Sequence, residues 1–198
     1  MPVSQQSFAP IPMPKSETPQ AVLAVVCHKP QSEEAASGAV GVAAIVRTTG
    51  GTSTHWMSGY SQSLDMARAA MVQHLLAALP ANTMPQLQVW STNIEAFRHI
   101  PAARNNGGMR SGKNKNKPFA AFALFDPLEA ALRDGRWFLQ TFRKGEEPGD
   151  FYAAETRAEE AFSAAKSRSF EFPIYHKDHP DWHMLEVGNT LTERHEPR

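Results

Sequence analysis

The hydrophobic period of the sequence changes at Ser63, and this change constrains the fold more than any other feature. Before it, AVGVAAIVRTTGGTSTHWMSGY predicts two strands joined at the glycine pair Gly50-Gly51. After it, apolar residues recur every three or four positions until Pro80, which predicts a helix. With the buried strand AVLAVVC upstream, the chain opens with a three-stranded antiparallel meander followed by a helix.

The remaining elements alternate between strands and helices. LQVWST and RWFLQTFR predict strands, and IEAFRHI, FAAFALFDPLEAALRDG and FYAAETRAEEAFSAAK predict helices. Pro127 is expected in a first helical turn or at a kink. The predicted order is β-β-β-α-β-α-α-β-α. A meander followed by βα crossovers predicts an α/β fold, a five-stranded mixed sheet flanked by helices.

The length of 198 residues, with 41% hydrophobic content, suits one domain with tails. Residues 1–20, rich in proline, glutamine and serine, predict a disordered tail. The domain is assigned to residues 21–167. Residues 168–198 are assigned to a C-terminal extension that docks or is partly disordered.

Charge and cysteine content narrow the functional classes. The net charge is zero, so binding to a polyanion requires a local basic patch. A single cysteine and the lack of a signal-like start favour the reducing cytoplasm. The apolar runs are too short to span a bilayer, so no membrane partner is expected.

The end of the fourth strand, VWSTN, places Asn93 where a strand meets a helix, a common position for catalytic side chains. A metal-binding enzyme would use a carboxylate there, whereas this chain has an amide. Asparagine also favours the helix N-cap, and IEAF follows directly. Asn93 can therefore be interpreted as a cap, a lost ligand or both.

Five patches in the same order resemble the ribonuclease H family. They are GAVGVAAIVR, SGYSQSLDMARAAMVQHLLAAL, VWSTNIEAFRHI, LFDPLEAALRDGRWFLQTFRKGEEPGD and ETRAEEAFSAA. The resemblance covers roughly residues 21 to 167 and implies a ribonuclease H-like fold. It also implies cleavage of the RNA strand of an RNA–DNA hybrid by two Mg²⁺ ions, held by four converging carboxylates.

The positions that correspond to those carboxylates are degenerate. The first-strand aspartate corresponds to Cys27 or its neighbour His28, and the helix glutamate to Ala67. The fourth-strand aspartate corresponds to Asn93 and the last-helix aspartate to Glu159. The family's loop histidine corresponds to Glu146. Only Glu159 keeps a charge at a ligand position, so no catalytic residue is expected, and Mg²⁺ or Mn²⁺ would be needed only if the chain were active.

Other acids offer substitute ligands. They are Glu33, Glu34, Asp65 and Glu95. The preferred interpretation is that Asp65 caps the first helix and that the three glutamates are surface charges.

The segment RNNGGMRSGKNKNKP resembles the basic protrusion of hybrid-binding family members. Its cations, in the loop 104–117, are Arg104, Arg110, Lys113, Lys115 and Lys117. Cations on a glycine-asparagine loop predict sequence-independent contacts with phosphates of RNA, DNA or a hybrid. The alternative is a solvated loop without a partner.

Two further features allow more than one interpretation. Aromatic residues such as Trp90 and Phe142 offer stacking faces for bases, but their spacing favours packing in the core. In the C-terminal extension, His176, His179 and His183 are ligand types that suit Zn²⁺. Pro180 interrupts any helix that would align them, so docking onto a protein partner or onto the domain itself is favoured over a metal site.

Three functions follow from these patterns. The leading prediction is a ribonuclease H-like protein without hydrolysis that binds nucleic acid or serves as a scaffold in a nucleoprotein assembly. The second is a divergent, active ribonuclease H that uses Glu159. The third is a protein-interaction module that does not bind nucleic acid.

Overall fold

The computed structural model describes residues 18–27, 38–61, 63–78, 87–110, 117–168 and 186–192. The strands in these ranges are β1 (Gln20–Cys27), β2 (Gly38–Thr48), β3 (Gly51–Ser61), β4 (Leu87–Ser91), β5 (Trp137–Thr141) and β6 (Glu186–Thr192). The helices are α1 (Leu64–Ala78), α2 (Ile100–Asn105), α3 (Phe122–Arg133) and α4 (Phe151–Arg168). A 3₁₀ turn (Glu95–His99) leads directly into α2.

The described strands form one mixed sheet in the order β5-β4-β1-β2-β3-β6. Strands β1, β2 and β3 are antiparallel neighbours, whereas β4 lies parallel to β1 and β5 parallel to β4. A two-residue turn joins β2 to β3. Parallel strands need a longer crossover connection, and helices α2 and α3 lie in the connection from β4 to β5. The predicted mixed sheet flanked by helices is confirmed.

Strand β6 extends the sheet beyond the five predicted strands. It pairs antiparallel with β3, from Ser58 opposite Glu186 to Thr52 opposite Thr192. Sequence reasoning named no strand in the extension, because only Val187 and Leu191 are strongly apolar in EVGNTLT. At the other end, β1 includes Gln20, which was assigned to the N-terminal tail.

The larger apolar core lies between the sheet and helices α1 and α3. Leu23 of β1 and Val89 of β4 point into it and meet Met71 of α1 and Leu128 of α3. Trp137 of β5 is fully buried, and its indole Nε1 donates a hydrogen bond to the Leu128 carbonyl at 3.0 Å. This side of the sheet therefore holds helices α1 and α3 in place.

Helix α4 covers part of the opposite face, across β1, β2 and β3. It presents a stripe of buried small residues to the sheet: Ala154, Ala158, Ala161 and Ala165. Gly41 of β2 allows the close approach, since a Cβ there would lie 2.0 Å from the Ala158 carbonyl oxygen. The Ser58 hydroxyl on β3 donates to the Ala161 carbonyl at 2.6 Å. We call this region the covered half.

The same face of β4 and β5 lies beside α4 rather than beneath it. Four side chains point to this side: Gln88, Trp90, Phe138 and Gln140. Phe138 is 38% exposed, Gln140 is exposed, and the other two are half-buried. We call these four residues the open face.

Two details of the helices differ from the sequence prediction. IEAFRHI forms the 3₁₀ turn and the first residue of α2, which then extends to Asn105. Pro127 lies in the second turn of α3 rather than the first, because the helix begins at Phe122. In the described part of the chain, no helix combines the length and apolar character needed to cross a bilayer.

Candidate functional site

Asn93 lies two residues after the end of β4, as predicted, but it does not cap a helix. The N-cap position of the 3₁₀ turn is Ile94, which is buried and makes no side-chain cap. The Asn93 amide nitrogen instead donates to the Glu95 carboxylate, which also pairs with Arg98 at 3.0 Å. The predicted capping role is therefore wrong, and the amide is held by a neighbouring acid.

The residue that stabilises this turn is Asp65, from α1. Its Oδ2 accepts the backbone N–H of Ala96 at 3.0 Å, and its Oδ1 accepts from Arg68 at 3.1 Å. The cap of α1 is Ser63, whose hydroxyl accepts the Met66 N–H at 3.2 Å. The expectation that Asp65 caps α1 is wrong. Its carboxylate joins the start of α1 to the end of β4, so its two oxygens already have partners.

The other degenerate positions offer little to a metal ion. Ala67 is 1% exposed and packs in the main core, where it supplies only a methyl group. Glu159 is exposed on α4, next to the buried Ala158, and Glu146 is exposed in the loop after β5. Cys27 is the last residue of β1 and pairs with Val40 of β2.

The basic segment begins as a short hairpin after α2. Met109 and Pro118 form an isolated antiparallel bridge, and the Arg110 N–H donates to the Lys117 carbonyl at 2.9 Å. Gly107 and Gly108 have φ of 62° and 82°, a region that favours glycine, and they turn the chain into the hairpin. Arg110 and Lys117 thus lie opposite each other and are exposed. We call residues 108–110 and 117–119 the basic hairpin.

Arg104 does not belong to this hairpin. It lies in α2, where its guanidinium pairs with Asp126 at 2.6 Å and with Glu129, both on α3. The hydrogen bonds that Arg104 donates to Glu129, the larger effect, and to Asp126 raise the pKa of Arg104 above its ordinary value. Arg104 therefore holds α2 against α3. Lys113, Lys115, His176, His179 and His183 lie outside the described residues.

Known structures share this arrangement of strands and helices. The chain is similar to the foamy viral protease-reverse transcriptase solved with an RNA/DNA hybrid, with a TM-score of 0.55 and 13% identity. The match covers 83% of this chain and 22% of the viral chain. It is also similar to LC9-RNase H1, a type 1 RNase H with the type 2 active-site motif, with a TM-score of 0.50 and 14% identity, over 80% of this chain and 76% of that one. The chain has a ribonuclease H-like fold.

Neither a family model nor a curated protein matches the sequence. The identities to the solved structures are low, so the similarity establishes the fold and leaves the chemistry to be argued from the residues. The chain also spans only 22% of the viral protein's length.

The residues that the structure describes at the ligand positions do not fit a pair of divalent ions. Two close Mg²⁺ ions require several carboxylate oxygens to offset their mutual repulsion. Ala67 has no donor atom, and Asn93 supplies a neutral amide oxygen in place of a carboxylate. Within the described ranges, histidine, cysteine and acidic side chains do not gather in threes where they could hold a metal. Of the substitute acids, Asp65 and Glu95 have other partners, and Glu33 and Glu34 lie outside the description.

Sequence reasoning missed a hydrogen-bonded chain on β3. The Ser53 hydroxyl lies 3.0 Å from Nε2 of His55, whose Nδ1 lies 3.2 Å from Nε2 of His74 on α1. Burial lowers the pKa of His55, and the charge of a protonated His74 lowers it further; burial also lowers the pKa of His74. The alternation of serine and histidine in STH was the available signal, but its partner lies 19 residues away.

The aromatic residues divide between core and surface. Phe97 contacts both Phe125 and Trp137 edge-to-face in the core, which supports the packing interpretation for these three residues. Trp90 lies half-buried on the open face, beside the exposed Phe138, which was not among the sequence candidates. The alternation of Trp137 and Phe138 along β5 could have indicated that one of the two rings faces outward.

Proposed function

We propose that this ribonuclease H-like protein binds nucleic acid through the basic hairpin without hydrolysing it, as a binding or scaffolding subunit of a nucleoprotein assembly. One contrast within the fold carries the proposal. The α1 position that needs a metal ligand holds the packed methyl group of Ala67, whereas the hairpin keeps Arg110 and Lys117 exposed and side by side. The chain therefore keeps cations that can bind phosphates but lacks a metal ligand at this position of α1.

The hairpin suits contact with a sugar-phosphate backbone. Arg110 and Lys117 flank the six residues that carry Lys113 and Lys115, so four cations fall within eight residues of the sequence. Such cations bind phosphates without reading bases. The foamy viral protein, which includes a region of this fold, was solved with an RNA/DNA hybrid. A hybrid is therefore the first ligand to test.

Binding is tested by fluorescence anisotropy with labelled RNA–DNA hybrid, duplex DNA and single-stranded RNA, over a range of salt concentrations. The double variant R110A/K117A should weaken hybrid binding and reduce the slope of log K against log salt by about 2, since each phosphate contact contributes about 0.9. The matched control R98A/R133A also removes two exposed cations and should leave the slope unchanged. Equal slopes for both double variants would contradict the role of the hairpin. Binding to none of the probes would favour the protein-interaction function.

Hydrolysis is tested separately, with labelled hybrid in Mg²⁺ and in Mn²⁺. We expect no metal-dependent cleavage, because the ligand set lacks the charge that two ions need. Cleavage that is abolished by Glu159→Gln would overturn this and establish the divergent, active ribonuclease H instead. The existence of a type 1 RNase H with a type 2 active-site motif makes this control necessary.

A further inference from the structure

The open face is a second candidate binding surface, on the side of the sheet that carries α4. It is built by register: Gln88 lies opposite Phe138, and Trp90 lies opposite Gln140 on the neighbouring strand. Trp90 and Phe138 are therefore diagonal neighbours, with Cα atoms about 8 Å apart, given a strand spacing of about 4.8 Å and a rise of about 3.3 Å per residue. Two aromatic rings and two amides alternate over four positions.

This composition is unusual for a surface that only faces water. Phe138 is 38% exposed on an edge strand, where a polar side chain would be expected. The indole N–H of Trp90 is shielded from solvent and has no acceptor in the part of the chain that the structure describes. Buried donors are nearly always paired, so an unpaired one indicates a missing partner. The Gln20 amide reaches Gln88 at 3.3 Å and continues the polar row onto β1.

Cations lie at both ends of the exposed strand. Arg136 precedes β5, and Arg143 and Lys144 follow it; all three are exposed. Within the described ranges, none of the three takes part in a salt bridge, unlike Arg47, which is bound by Asp150 on α4. The nearest acids beyond Lys144 are Glu146 and Glu147, and the Glu147 carboxylate accepts the Gly145 N–H at 2.8 Å. Strand β5 therefore presents the Phe138 ring and the Gln140 amide between cations at its two ends.

We propose that the open face binds single-stranded nucleic acid, with bases stacked on Phe138 and Trp90 and phosphates near Arg136, Arg143 and Lys144. Aromatic rings on neighbouring strands stack unpaired bases, and every base has a face that can stack. Amides beside the rings can hydrogen-bond base edges. A duplex keeps its bases paired and stacked inside, so it cannot use these rings. The site is separate from the basic hairpin.

The test uses the full chain and a labelled 12-mer of thymidine, followed by anisotropy at low and moderate salt. Phe138→Ala should lower the affinity about tenfold, because it removes a ring on which one base stacks. Phe138→Tyr keeps a ring and should retain the affinity. Leu64→Ala, which trims a side chain of similar exposure, 37%, on α1, should have no effect. R143A/K144A should reduce the salt slope by about 1.4, at 0.7 for each contact on a single strand.

The outcomes separate this proposal from the role of the hairpin. Phe138→Ala should leave affinity for the RNA–DNA hybrid within twofold, and R110A/K117A should weaken hybrid binding more than 12-mer binding. Equal affinity of the Ala and Tyr variants for the 12-mer would overturn the proposal and assign the face to a protein contact. Failure of the wild-type chain to bind the 12-mer at low salt would overturn it as well. Thermal melting of each variant excludes loss of folding as the cause.

Discussion

The two halves of one sheet face use their residues in opposite ways. In the covered half, Gly41 and the alanine stripe of α4 minimise side-chain volume so that helix and strand backbones approach closely. On the open face, Phe138 and Trp90 place large rings where none of the described helices packs as α4 does on the covered half. On this face of the sheet, small residues therefore mark the area that packs closely against a helix, whereas large exposed residues mark a surface available to a partner. Each prediction below tests whether that division holds.

The largest expected effect separates two adjacent residues of β5. Trp137→Ala should cost about 3 to 5 kcal/mol of the free energy of unfolding, because it empties a fully buried site and removes the hydrogen bond to Leu128. Phe138→Ala should cost less than about 1 kcal/mol, because the ring faces the open side. Urea unfolding of the two variants measures both values. Similar losses would show that Phe138 is a structural residue and would remove the basis for the open face.

The second effect tests the covered half. Gly41→Ala should destabilise the protein by about 3 kcal/mol, because the new Cβ would meet backbone atoms of Ala158 and Phe162 within 2.3 Å and α4 must shift. Gly50→Ala is the matched control, since its Cβ would lie 3.6 Å from the nearest atom, the Thr48 hydroxyl. We expect the control to change stability by less than about 0.5 kcal/mol. A mild effect at Gly41 would mean that α4 is not closely fitted to the sheet.

The order of the elements could be predicted from sequence because hydrophobic period is a local property. The switch at Ser63 and the position of Asn93 after β4 needed only neighbouring residues. Contacts between distant segments have no local sequence pattern. Asp65 stabilises a turn 31 residues away, and Arg104, predicted to lie in the basic loop, lies in α2 and pairs with α3. The pairing of β6 with β3 was missed for the same reason. Local sequence patterns therefore predict the order of strands and helices, whereas the partners of individual charged residues can be identified only in the folded structure.

The smallest effect concerns pH and is expected to affect stability without affecting the open face. On the opposite face of the sheet, between β3 and α1, His55 and His74 have lowered pKa values in the folded protein, so the unfolded chain binds protons more readily. Stability should be greatest above about pH 6.5, should fall as the pH drops below that value, and should level off below the folded pKa values. His74→Gln should flatten this dependence, whereas His99→Gln, at an exposed histidine, should not.

The open face contains only amides and aromatic rings, so its affinity for the 12-mer should stay constant from pH 7.5 to 6 while the protein remains folded. Parallel loss of binding and stability over that range would show that the histidine pair and the open face are coupled rather than independent.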